Sequence, residues 1–262
     1  MAITGPQAVV TTKYGGFGCY HSALGTSLTI LNDGAASTDL PAYATGEALE
    51  IVSTSVEDDT DKGAGVPGTG AHTVTVVYID STLGAVTSLS VTMNGTSAVA
   101  LSDTTISRVL DVFVTTTGTG KANAGTITVR VAGAGANRVS IPIGHNRAAP
   151  GRFTIPTGYY GIYRGFALHS STGTSFAKMT ALVEADFNPY TNAFNEGVYQ
   201  AIDWAAAGPA TGRMGYELGD RQGGTRLYLK EKTTVRVRAA ADAGTPIVAG
   251  RVFIQLYRAP VI

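Results

Sequence analysis

The densest concentration of reactive groups in the sequence is an acidic run, Glu57, Asp58, Asp59 and Asp61, set among glycines and threonines. Clustered carboxylates are what a hard cation such as calcium requires, but a calcium loop spaces its ligands so that they converge. Adjacent residues point different ways, so the run is expected to be a solvated hairpin loop that holds no metal. Just beyond it, Gly63, Gly65 and Gly68 match the G-x-G-x-x-G pattern. That pattern cradles a dinucleotide phosphate only where a strand precedes it and a helix follows. Here a strand pattern follows and Pro67 removes one amide, so no nucleotide is expected. Gly120 and Lys121 lead to Ala122, where a phosphate loop needs Ser or Thr.

The remaining reactive types lack the context their chemistry demands. His21, His72, His145 and His169 are scattered, with no H-x-x-x-H pair for zinc, and no G-x-S-x-G elbow presents a nucleophile. Glu184 and Asp186 fall on one side of a strand pattern. An exposed or salt-bridged pair explains them better than glycoside hydrolysis. The lone cysteine, Cys19, excludes an internal disulfide and a cysteine zinc site, and nothing near it lowers its pKa. Asn94, Gly95 and Thr96 spell a glycosylation sequon but read as a turn. Tyr159, Tyr160, Tyr163, Tyr190, Tyr199 and Trp204 fill the C-terminal half. No period stacks them on one face as sugar binding would need, and tyrosine is also common at strand edges and interfaces. The expectation is a protein without catalytic residues, cofactor or metal.

The elements that must position these groups are strands. Residues 48–53, 72–79, 88–93, 108–114 and 125–131 carry β-branched alternation separated by glycine-rich turns, which is the spacing of a sandwich. Asn94 and Gly95 form the preferred centre of a two-residue hairpin. Residues 132–150 read as a boundary, after which 152–155, 159–168, 178–187, 227–229, 233–239 and 251–257 continue the strand pattern. Val235 and Val237 share an apolar side, as do Val252, Ile254 and Leu256, leaving Arg236 and Gln255 on the polar side. Residues 195–206 are the one helix-like stretch, with Val198, Ile202 and Ala205 at helical spacing and Gly197 against it. Residues 1–45 show no sustained period, although Asn32, Asp33 and Gly34 signal a turn. They are expected to form an extended arm that packs on this chain or on a neighbour, with Tyr14, Phe17 and Tyr20 as the contact residues of a docking element that the core does not need for folding.

Composition fits that reading. The chain has 262 residues, 33 of them glycine, and only 15% are charged against roughly 25% in an ordinary soluble domain. Nineteen basic residues balance nineteen acidic ones. A zero balance offers no pull toward nucleic acid or an anionic membrane and little repulsion between copies, so self-association is expected. No apolar run approaches the roughly 20 residues that span a bilayer, and residues 1–6 lack the features of a secretory signal.

Two sets of segments carry a resemblance. One is GTGAHTVTVVYID at 68–80 with VTMNGT at 91–96 and NAGTIT at 123–128; the other is FTIPTGY at 153–159 with LKEKTTVRVR at 229–238. They resemble structural proteins of tailed bacteriophages, particularly phages of cyanobacteria and other aquatic bacteria. The resemblance covers about residues 47–131 and 152–257 and rests on turn-and-strand patterns. It implies a virion component, and among such components a capsid decoration (cement) protein that contacts the major capsid protein or other virion subunits as a homo-oligomer, with a trimer as the first expectation. A tail, baseplate or fibre-attachment component with receptor glycan binding is the alternative. The expected architecture is therefore all-β: an arm at 1–45 and two antiparallel, jelly-roll-like β-sandwich modules at 46–145 and 150–262. The expected location is the virion, assembled in the host cytoplasm.

Overall fold

The computed structural model describes residues 13–27, 29–32, 46–81, 86–171, 178–186, 196–205, 212–217 and 228–258. Among them every regular element is a strand, and every strand pairing is antiparallel. The N-terminal part contributes β1 (Lys13–His21) and β2 (Thr29–Ile30). The first module follows as β3 (Leu49–Ser53), β4 (Ala71–Asp80), β5 (Thr87–Thr92), β6 (Val99–Ala100), β7 (Ile106–Thr117), β8 (Ile127–Val131) and β9 (Asn137–Ile141). The second comprises β10 (Arg152–Thr154), β11 (Tyr159–Ser171), β12 (Lys178–Asp186) and β13 (Glu196–Ala205). It ends with β14 (Gly212–Glu217), β15 (Tyr228–Leu229), β16 (Thr234–Ala241) and β17 (Ile247–Arg258).

In the first module the sheets β6-β3-β8-β9 and β5-β4-β7 enclose one core. Alternation builds it. Leu49 and Ile51 of β3, Val74 and Val76 of β4, and Ile127 and Val129 of β8 all point inward. Register keeps like with like: Val74 lies opposite Val91, and Val129 opposite Val139. β9 falls inside the stretch read from sequence as a boundary. The Asn94–Gly95 turn is present, with Gly95 at φ 54°, but it is not a two-residue hairpin. It carries the chain from β5 in one sheet to β6 in the other. Its amide is needed elsewhere, since Gly95 N donates to Asp58 O.

The second module has the sheets β1-β17-β11-β14, with β15 on β11, and β10-β16-β12-β13, with β2 on β16. Two expectations are corrected here. Residues 196–205 are strand, paired along their length with β12. Gly197 disfavours a helix there, and the β-branched and aromatic Val198, Tyr199, Ile202 and Trp204 favour an extended chain. Over 13–32 the N-terminal segment also belongs to its own chain's core and is not the dispensable docking arm expected from the sequence. β1 pairs with β17 from Lys13↔Leu256 to His21↔Val248. Phe17, Cys19, Leu24 and Leu31 sit in the same core as Phe166, Val237 and Ile254. Residues 1–12 and 33–45, with the Asp33–Gly34 turn signal, lie outside the described residues.

The modules are fused rather than strung together. Ile79 and Leu110 of the first pack into the core of the second. The connecting chain runs along β7, with Val114 N donating to Asn146 O and Ala148 N to Val112 O, and then meets β1 through Gly151 N and Gly18 O.

Candidate functional site

The acidic run is built into the fold, which corrects the reading of it as a solvated hairpin loop. Asp58 is completely buried. Its Oδ1 accepts from Ala71 N at 2.6 Å and Ala124 N at 2.8 Å, and its Oδ2 from Gly125 N at 2.8 Å and Ser53 Oγ at 2.6 Å. A buried carboxylate is tolerable when several donors satisfy it. Here the donors come from three segments, so one side chain ties together 53–58, 70–71 and 124–125. The approach demands glycine at position 70, where a Cβ would fall 2.1 Å from Asp58 Oδ1. Glu57 accepts from Lys62 Nζ at 2.7 Å and from Thr69 N and Oγ1 at 3.0 Å. Those bonds hold its carboxyl down at about 2.

Asp61 Oδ1 accepts from Gly63 N at 2.9 Å and Gly65 N at 3.0 Å. The amides that a phosphate would need in the glycine motif are therefore taken by the chain's own carboxylate. His72 Nε2–H donates to the Gly68 carbonyl at 2.8 Å, and Gly118 N and Gly120 N donate to Gly70 O and Thr69 O. Asn123 and Asn146 exchange backbone and side-chain bonds at 3.1 Å, and Asn123 Nδ2 donates to Pro142 O. Loops 54–70, 118–125 and 142–146 are thus braced into one end of the first module. On these loops Val56 (57%), Val66 (53%) and Ile143 (61%) are the most exposed large apolar side chains among the described residues. Among the described residues no three His, Cys, Asp or Glu side chains gather where a metal could be held.

The residues singled out as contacts fall elsewhere. Phe17 is buried at 2% exposure in its own chain's core, so its ring is not offered to a neighbour. Tyr20 is half-buried and meets the His145 ring edge-on at 5.0 Å. The backbone of Tyr14 lies opposite Gln255, and its side chain is outside the described residues. Cys19 is buried, and burial pushes its thiol up, away from the reactive thiolate. Among the described residues the tyrosines do not gather into a sugar platform. Tyr163 is buried in the core, whereas Tyr160 stacks on Tyr257 at 5.1 Å. Nothing is described of the Tyr199 and Trp204 side chains, and Tyr190 is outside the described residues. A cleft at the module junction, lined by Phe17, Leu110, Arg147, Pro150 and Arg251, has a volume of about 90 Å³. That is below the roughly 300 Å³ of an ordinary small-molecule site.

No family model matches the chain, and no curated protein matches it in sequence. Among solved structures it aligns with the Gt strain of infectious bursal disease virus at 9% identity and a TM-score of 0.17, over 98% of this chain and 84% of that one. The Gx strain gives 9% identity and 0.16 over 97% and 82%. The VP2 subviral particle of the same virus gives 7% identity and 0.16 over 96% and 77%. Overlays at these scores carry no argument about fold or function.

Proposed function

We propose that the chain is a non-enzymatic virion structural protein, a capsid decoration (cement) protein of a tailed bacteriophage that strengthens the head by contacts with the major capsid protein. The observation that carries this reading is the braced loop end of the first module. Its carboxylates satisfy backbone amides instead of facing a reaction centre, and it presents Val56, Val66 and Ile143 outward on loops held rigid from within. A rigid surface loses little entropy on docking, which is what a permanent contact requires. The phage-like segments at 68–80, 91–96 and 123–128 border or form this end. A partner that binds only the assembled shell stabilises that shell by mass action. Association of the near-neutral chain with its own copies as a trimer completes the proposal.

The test is to add purified protein to particles that lack it, image the particles, and measure their resistance to heat. The variant V56D/V66D/I143D is expected to keep the wild-type melting temperature and to lose attachment. Normal attachment of that variant rejects the loop end as the contact. Density on the tail instead of the head rejects decoration and returns the tail or baseplate alternative.

A further inference from the structure

The junction between the modules holds a cluster of arginines that the proposed docking does not use. Arg152 opens β10 and lies opposite Arg236 of β16. Arg108, Arg152 and Arg236 are 6%, 6% and 7% exposed. The Nη2 of Arg152 donates to the carbonyl of Arg138 at 3.1 Å. Its Nη1 is buried and has no acceptor among the described residues. Among the described residues, the charges of Arg108, Arg138 and Arg236 repel Arg152 and that of Glu47 attracts it; burial together with these neighbours pulls the guanidinium down to about 9. An arginine remains protonated at physiological pH, so the crowding is borne as instability. Glu47 is itself gripped by Arg138, through Nε and through Nη2 at 2.7 Å. The β12 position opposite Arg236 is Glu184. Among the described side chains, the guanidiniums of Arg108, Arg138 and Arg236 and the Glu47 carboxylate are the charges that act on Arg152. Arg108, Arg138 and Arg236 have further interactions; among the described residues the Nη1 of Arg152, like the Nε of Arg108, is a buried donor that meets no acceptor.

We propose that this junction binds a small tetrahedral oxyanion, phosphate or sulfate, on Arg152 between the two modules. A tetrahedral oxyanion offers acceptor oxygens in several directions at once, whereas a carboxylate serves one guanidinium fork in one plane. It also brings negative charge to Arg152, which three neighbouring guanidiniums repel. Phosphate at the seam between the two cores then acts as a clasp, engaged when the modules close on each other.

Native mass spectrometry of the full chain, purified into a volatile buffer, is expected to show one retained phosphate or sulfate. In thermal unfolding at constant ionic strength, exchanging chloride for phosphate or sulfate in the millimolar range should raise the melting temperature saturably, by about 4 °C or more. The two salts compared tell which anion is preferred. Arg152→Met should abolish that response while retaining the shallow, unsaturable salt effect common to proteins. Arg152→Lys, which keeps the charge but loses the planar fork, should weaken the response, and Glu47→Gln should enlarge it. A chain without adduct and with equal melting temperatures in matched salts overturns the proposal, and so does a response that survives Arg152→Met. Should both Arg152 variants fail to fold, the wild-type adduct and salt response decide alone.

Discussion

The first module builds its sheets from its own strands and lends only Ile79 and Leu110 to the other core, whereas the second module joins β1 and β2 to strands that begin beyond residue 150. The first module anchors its long loops with side chains, Asp58 above all. The second relies on main-chain pairing between distant strands, β1 with β17 being the extreme case. A local fold with anchored loops fails at single atoms, whereas a fold closed by distant pairing fails by loss of a whole strand.

The largest effect is expected from a chain that begins at residue 46. It lacks β1 and β2 and the buried Phe17, Leu24, Ile30 and Leu31. At roughly 1.5–3 kcal/mol each, these four side chains approach the roughly 5–15 kcal/mol that stabilises a whole domain. Limited proteolysis should leave a resistant core near residues 46–148 and degrade the remainder. Cooperative unfolding at the full-length melting temperature would break the contrast.

Asp58→Ala comes next. It strands two buried amides, the half-buried amide of Ala124 and the Ser53 hydroxyl. Urea unfolding should show a loss of about 3 kcal/mol or more, with faster hydrogen exchange at Ala71, Ala124 and Gly125. Asp58→Asn should not restore it, because its NH2 group meets donors. Exchange that quickens equally in β16 would mean the modules are not separable.

Gln255→Ala is a smaller, sharper test. Strand alternation places Gln255 with solvent, yet it is 8% exposed and its Oε1 accepts from Arg164 Nε at 2.8 Å. A loss of about 1–2 kcal/mol in the same assay is expected. No loss would restore the sequence-based view of that face.

The smallest effect is an acid step. The Glu57 carboxyl sits at about 2 in the folded protein, below the roughly 4.3 of an ordinary glutamate. Its contribution is therefore complete above pH ~4.3 and fades as the pH falls toward about 2. Exchange of the Thr69 amide should quicken across that window, and Glu57→Gln should remove the pH dependence.

What the sequence made legible follows this division. Where one sheet face is buried and the other wet, as along β3, β4 and β8, alternation reveals strand and core together. β16 is harder to read, because Thr234 through Val237 are buried on both faces and Arg236 resembles a solvent residue until β10 is placed beside it. β1 is hidden for another reason. Its glycines offer backbone to bulky partners, Gly16 opposite Phe253 and Gly18 opposite Arg251, so the pattern that marks the pairing belongs to β17. The role of Asp58 depends on amides at 71, 124 and 125, and spacing within the acidic run cannot disclose partners so far along the chain.

The pairing of β1 with β17 also sets a clock. Of the described strands a ribosome makes β1 first and β17 last, so the first module can finish folding while β1 still waits for its partner. Domains generally fold as units during synthesis, and an unpaired strand is a site for wrong partners until its own arrives. The glycines at 15, 16 and 18 make β1 a poor competitor for foreign edges in that interval. Closure of the second module thus reports that translation has passed residue 258, and a chain that stops short of β17 leaves its N-terminal segment undocked.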